Sequence, residues 1–302
     1  MKISTIRFWA CSSAFAACVA LASASASAQT LYTSLNAGGA IDEVAPGGSV
    51  STFATGFTAP KGVAFDASGN LYVAEDFSGS FESVISKVTP GGAVSTFATG
   101  LFTPIGLAFD GSGNLFVADY GLNQINKITP GGAVSTFATG LNSPFGVAFD
   151  ISSGDLFVAN RDNGTISRIT PGGSVSLFAS GLSQPNDLAF DTGGDLFVTN
   201  FTANTVSKIT PDGSVSLFAS GLNAPVGIAF NPADGDLYVA NQGGSSISRV
   251  TPGGTVSLYA SFGGLGPQYL TVKPTAVPEP AAYGAILGAA MIGLAALRRR
   301  RT

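Results

Sequence analysis

The 302-residue chain contains no histidine, and its two cysteines, Cys11 and Cys18, both lie near its start. Ser–His–Asp and Cys–His nucleophilic devices are therefore excluded, as are zinc sites built on His or Cys. What remains for chemistry is oxygen, supplied by carboxylates and amides at regular intervals. Glu75, Asp119, Asn160, Asn200 and Asn241 each follow a Val-Ala or Val-Thr pair. A second series places Lys61, Ile105, Phe145, Asn186, Val226 and Gln268 directly after a proline. The next residue is glycine in four of these copies, but Asp187 and Tyr269 in the other two. Brought together, Glu75, Asp119, Asn186 and Asp187 would form an oxygen-rich ring suited to a hard cation such as Ca²⁺. Lys61, Asn160, Asn200, Asn241 and Gln268 would then line a ligand-facing surface. The alternative reading of the same Asp and Asn residues is that they cap the loops between strands.

The elements that must position these residues are read from an internal repeat. Thr-Pro-Gly-Gly or a close variant starts at Ala45, Thr89, Thr129, Thr170, Thr210 and Thr251, in steps of 44, 40, 41, 40 and 41 residues. A Leu-aromatic marker starts in register at Leu31, Leu71, Leu115, Leu156, Leu196 and Leu237. Each unit holds four short runs rich in Val, Ile, Phe and Thr, separated by Pro-Gly and Asp-x-x-Gly-Asn turns. Four short strands in about 40 residues is the period of a β-propeller. The small-large alternation of Gly62-Val63-Ala64-Phe65 and its copies suits the crowded innermost strand. The sequence thus predicts an all-β, six-bladed propeller of four-stranded blades. The run Tyr269 to Val272 aligns with an innermost strand, so it should complete the blade begun by Leu31, closing the ring through both ends of the domain. In this arrangement Asp66, Asp110, Asp150 and Asp191 cap turns on one face, while the non-repeating residues ring the channel mouth on the other.

The predicted domain spans 29–276. Before it, Lys2 and Arg7 precede an apolar stretch from Phe8 to Leu21, and Ala26-Ser27-Ala28 offers a cleavage site, so 1–28 reads as a secretory signal. Cysteine-free after that cleavage, the exported fold uses no disulfides. Between Leu31 and Pro274 there are 17 acidic and 8 basic residues, a net charge of −9, which excludes a nucleic-acid partner.

The pattern Pro-x-Gly-Val-Ala-Phe-Asp…Gly-Asn-Leu-Tyr-Val-Ala, as in Pro60-Lys61-Gly62 and Leu71-Tyr72-Val73-Ala74, resembles NHL repeats. It is also similar to the six-bladed propellers of the senescence-marker and gluconolactonase group. Pro185-Asn186-Asp187 resembles the loop that supplies an asparagine metal ligand in that group. The resemblance implies Ca²⁺ as the one candidate cofactor, polarising a lactone or ester carbonyl. The group's glutamate and later aspartate ligands find no clear counterpart here. Virginiamycin B lyase has similar repeats, but the chemistry implied by that resemblance uses a histidine, which this chain lacks. At the other end, Val277-Pro278-Glu279-Pro280, an apolar run over 281–297 and Arg298-Arg299-Arg300-Arg301 together resemble the PEP-CTERM sorting signal. That resemblance implies an exosortase-type partner that processes the tail (277–302). As a helix, 281–297 would span roughly 25 Å, close to a bilayer core, with the arginines at the cytoplasmic face.

The reading that follows is an exported, surface- or matrix-associated module that binds protein or polysaccharide without catalysis and is held transiently in the membrane before processing. The alternatives are a Ca²⁺-dependent lactonase or esterase and a purely structural scaffold of the extracellular matrix. The tail makes a separate prediction. Glu279→Ala, or Arg298 to Arg301 changed to Ser, should leave the domain folded yet accumulate as unprocessed, membrane-associated protein in a host with the sorting enzyme. In a host without it, Glu279→Ala should behave as the parent. Mass spectrometry of the mature C-terminus with cell fractionation decides this: a native protein that retains Thr302 is an ordinary tail anchor.

Overall fold

The computed structural model describes residues 29–77 and 81–274. The expected signal (1–28) and membrane helix (281–297) lie outside the described residues. Among the described residues, no helix is long and apolar enough to cross a membrane. Those residues form six antiparallel sheets of four strands each, a six-bladed propeller. The first blade combines Pro267–Val272, Leu31–Leu35, Ala40–Val44 and Val50–Thr55, in that order outward from the axis. The second runs Pro60–Phe65, Leu71–Glu75, Ser83–Val88 and Val94–Leu101. Inner strands of the remaining four blades are Pro104–Phe109, Pro144–Phe149, Pro185–Phe190 and Pro225–Asn231. These six inner strands pack against one another around the axis. The second strands, sandwiched between neighbouring blades, are buried along their whole length.

Aromatic side chains knit each blade to the next. Phe157, on a second strand, packs edge-on against Phe178 of its own outer strand (centroids 4.8 Å apart) and Phe190 of the next blade's inner strand (5.3 Å). Tyr72 repeats the arrangement with Phe97 and Phe109 at 4.8 and 4.9 Å, and Tyr32 with Phe53 and Phe65 at 5.0 Å each. Each such pair contributes roughly 0.5–1.5 kcal/mol beyond the area it buries. The turns are equally repetitive. In the Thr129–Gly132 turn the Gly132 N–H donates to the Thr129 carbonyl at 2.9 Å, as its counterparts do at 2.8–2.9 Å, and Gly132 adopts φ +85°. A side chain there would also press on the Phe97 carbonyl of the neighbouring blade, 2.6 Å from a Cβ.

The two ends of the domain meet in the first blade. Leu31 pairs with Val272, Tyr32 with Thr271 and Thr33 with Leu270. The Tyr269 N–H donates to Ser34 Oγ at 3.2 Å, and Tyr259 of the sixth blade donates its hydroxyl to the Ala45 carbonyl at 3.2 Å. Deleting residues 268–276 removes an inner strand carrying buried Tyr269 and Leu270 and exposes the edges beside it. The truncated protein should melt at least about 10 °C below the parent, monitored by circular dichroism. An unchanged melting temperature would show that this blade is not the closure.

Candidate functional site

The geometry of the channel mouth begins with a bulge. In five inner strands the pairing register shifts between the proline and the residue three further on, as between Pro60 and Val63 or Pro144 and Val147. A bulge re-aims the side chain it carries. Here it turns the residue after each proline into the channel: Lys61, Ile105, Phe145, Asn186, Val226 and Gln268 all line one cavity of about 180 Å³. Asn36, Arg161, Phe201, Gln242 and Tyr269 complete its wall.

The residues after the Val-Ala pairs sit outside that wall and act as pins. Asn160, 2% exposed, accepts the Asn142 N–H at 3.2 Å and donates to Ser167 Oγ at 2.8 Å. Asn200 and Asn241 repeat this with Ser183 and Ser207, and with Asn223 and Ser248. Asp119 accepts the Phe102 and Thr103 N–H groups at 3.1 and 3.0 Å and Asn126 Nδ2 at 3.1 Å. Glu75 accepts the Thr58 N–H at 2.7 Å and the Ser86 hydroxyl. Each pin holds the loop that enters its own blade's inner strand. On the opposite face Asp66, Asp110, Asp150 and Asp191 accept N–H groups of their own turns at 2.8–3.0 Å.

Below the mouth the channel narrows to a waist where the inner strands touch at Gly62, Gly106, Gly146 and Gly227. A Cβ on Gly146 would stand 2.6 Å from the Asp187 Cα. Asp187 and Tyr269 are the two side chains in this girdle. Asp187 Oδ2 accepts the Ile228 N–H of the next blade at 3.1 Å, while burial pushes its carboxyl up to about 7. Burial, then the nearby Asp187, raises Tyr269 well above the usual phenol range, with Arg161 opposing. A second cavity of about 270 Å³ lies beyond the waist, lined by apolar side chains such as Val63, Leu107 and Leu188 together with Asp187, Tyr269 and Thr271.

The structure therefore gathers Lys61, Asn186 and Gln268 at one cavity and places Asp187 beyond it, on the lower cavity, while Glu75, Asp119, Asn160, Asn200 and Asn241 serve the loops around the mouth. Among the described residues, no three acidic side chains are grouped to hold a metal ion. The carboxylates of Glu75 and Asp119 are occupied by N–H and O–H donors, and two cationic side chains share the cavity that Asn186 faces. This donor set does not suit Ca²⁺. Sequence reasoning missed the column one residue beyond the pins: Asn36, Asp76, Tyr120, Arg161, Phe201 and Gln242. Its signal was present, because no two of the six copies in this column are alike.

A family model described as the virginiamycin B lyase family matches residues 81–263, and one for the PEP-CTERM protein-sorting motif matches 276–301. No curated protein matches the chain. Among solved structures, the nidogen/laminin complex contains a chain 21% identical, with a TM-score of 0.72 over 82% of this chain and 98% of that one. A catalytically inactive histidine-to-alanine form of virginiamycin B lyase from Staphylococcus aureus, with quinupristin, is 21% identical, with a TM-score of 0.58 over 70% and 73%. A gluconolactonase from Xanthomonas campestris is 17% identical, with a TM-score of 0.61 over 70% and 78%. At these identities the solved structures establish a shared fold.

The waist generates a pH prediction. Near pH 3 both folded and unfolded chains hold Asp187 protonated. Between about pH 4 and 7 only the folded chain keeps that proton, so the stability contributed falls as pH rises and is lost above about 7. The shift from 3.8 to about 7 corresponds to a loss on the order of 4 kcal/mol. Asp187→Asn, which keeps an acceptor for Ile228, should flatten this dependence. Denaturant titrations of both proteins at pH 4.5 and 8 isolate the difference; parallel profiles would refute it.

Proposed function

The chain belongs to the virginiamycin B lyase family, and from that premise we propose that it is a binding member without the lyase's histidine-dependent chemistry, displayed at the cell surface or in the extracellular matrix. The PEP-CTERM match marks it as an exported protein. We read its ligand as an extracellular polysaccharide or protein that docks on the channel mouth. The observation that carries this reading is the distribution of variation around the ring. Pins, turns and aromatic pairs recur blade after blade, whereas the cavity wall brings together Lys61, Ile105, Phe145, Asn186, Val226 and Gln268. A scaffold alone needs no such variety at its mouth, and a concave surface with a few convergent polar groups is where a ligand binds.

The domains follow the same plan: a signal over 1–28, the propeller over 29–276 and the sorting tail over 277–302, released by an exosortase-type enzyme after transient anchoring by 281–297. The alternative, a Ca²⁺-dependent lactonase or esterase, has the gluconolactonase-like shape in its favour, but Lys61 and Arg161 beside Asn186 weigh against a cation there. A stoichiometric divalent ion in the purified protein, with lactone hydrolysis abolished by Asn186→Ala, would establish it.

For the leading reading, the intact chain should leave quinupristin unchanged and should co-sediment with polymers secreted by its own host. Phe145→Ala together with Phe201→Ala should weaken that binding at least tenfold, while Leu217→Ser, on an exposed outer strand, should not. Turnover of quinupristin would make the protein an enzyme of the lyase type. Equal binding by the two variants would move the ligand surface away from the mouth.

A further inference from the structure

Eight lysines and arginines lie between residues 29 and 274. Six of them lie over ring faces or pair with carboxylates away from the channel mouth. Lys87 lies over Tyr72 at 5.4 Å, Lys127 over Phe116 at 5.5 Å and Lys273 over Tyr32 at 5.9 Å. Arg168 pairs with Asp155, Arg249 with Asp236, and Lys208 with Asp195 at 2.6 Å. The remaining two, Lys61 and Arg161, converge on the 180 Å³ cavity at the channel mouth. An acidic protein has thus placed two of its eight cations on one cavity.

Arg161 is held in a fixed pose. Its guanidinium lies over the Phe145 ring at 4.6 Å and the Phe201 ring at 5.3 Å, and its backbone N–H donates to the Ser143 carbonyl at 3.1 Å. Such stacking leaves the in-plane N–H fork for a bidentate acceptor. Arg161 Nε is buried and finds no hydrogen-bond partner among the described residues. Two further buried polar atoms on the same cavity are also without a partner: Asn186 Oδ1, on a side chain 1% exposed, and the Tyr269 hydroxyl, on one 3% exposed. Unpaired buried polar atoms are costly and rare, and three on one wall specify what a ligand must offer. Opposite Arg161 and Lys61 it must present an anion. Opposite Asn186 Oδ1, which can only accept, it must present a donor. The amides of Asn36, Gln242 and Gln268 suit further hydroxyl groups.

We propose that this cavity binds a hydroxylated carboxylate of the size of a single sugar acid, its carboxylate on Arg161 and Lys61 and a hydroxyl donating to Asn186 Oδ1. The proposal rests on the reading of the mouth as the ligand surface and names the ligand's chemistry. The volume, room for roughly six waters, admits one such residue, either as a free acid or as the end of an acidic polysaccharide.

Calorimetric titration of the intact exported chain with galacturonate, glucuronate, short oligogalacturonides, glucose and inorganic phosphate tests it. The sugar acids should bind, and glucose and phosphate should bind at least tenfold more weakly. Tighter binding of the oligomers than of the monomers identifies the polymer end as the source; equal binding identifies the free acid. Arg161→Gln should lose at least tenfold in affinity, and so should Asn186→Asp, which keeps the shape but replaces the free acceptor with a negative charge. Should Arg161→Gln fail to fold, as judged by its melting curve, Asn186→Asp and Lys61→Gln carry the test. Binding of glucose or phosphate as tightly as the sugar acids overturns the proposal, as does binding indifferent to these substitutions. A mouth that still retains host polymers through Phe145 and Phe201 but rejects every sugar acid overturns the ligand class alone and leaves the binding role standing.

Discussion

Six strands can share one axis only if their backbones approach closely at some level, and in this ring that level is the waist. Gly62, Gly106, Gly146 and Gly227 bring each inner strand against the carbonyl groups of the next, with no room for a methyl group. The bulge preceding each glycine follows from the same crowding, since an extra residue lets the strand bend inward while its pairing with the second strand continues. Turning the preceding side chain toward the axis is a consequence of that bend. The wall of the mouth is therefore produced by the packing of the waist, and the residue types on it are free to vary without disturbing the ring.

Where the girdle departs from glycine, other interactions restore the fit. The Asp187 N–H donates to Thr199 Oγ1 at 3.0 Å, and that hydroxyl donates to the Val226 carbonyl at 2.7 Å. Together with the bond from Ile228 to Asp187 Oδ2, this replaces a glycine contact with a small polar network spanning two blades. Tyr269 enters from the closing blade, where the chain's two ends are paired and Leu35 stands in the place that a pin occupies elsewhere. The two bulky girdle residues thus separate the mouth from the lower cavity. A ligand entering from the mouth meets a floor rather than a tunnel.

Most of the architecture was legible in the sequence because a propeller repeats one solution six times. The markers at Leu31 and its copies set the blade count, and the alignment of Tyr269–Val272 with an inner strand revealed the closure. The mouth was legible through Lys61, Asn186 and Gln268, whose positions vary inside an otherwise constant motif. The pins were harder to assign. An Asn or Asp at a strand end reads equally as a ligand or a cap, and the choice depends on where Thr58, Asn142 or Ser183 directs its N–H. Arg161 was not legible for a different reason: its environment is built from Phe145 of its own blade and Phe201 of the next, a juxtaposition that exists only after the ring closes.

The same comparison separates this site from the chemistry of its histidine-using relatives. A catalytic base must change protonation state near neutral pH while in contact with substrate. The side chain in this channel pushed to about 7, Asp187, lines the lower cavity and is bonded to the next blade's backbone. On the mouth side the fixed charge is a guanidinium, which keeps its proton throughout, and it is clamped by two aromatic faces. Lys61, its pKa lowered by burial against the opposing pull of Asp76, provides the second cation. The wall thus combines a stacked guanidinium, a partly buried ammonium and amides. Under the proposed binding role, the mouth would discriminate by charge and hydrogen-bond polarity, and the ring behind it would supply rigidity.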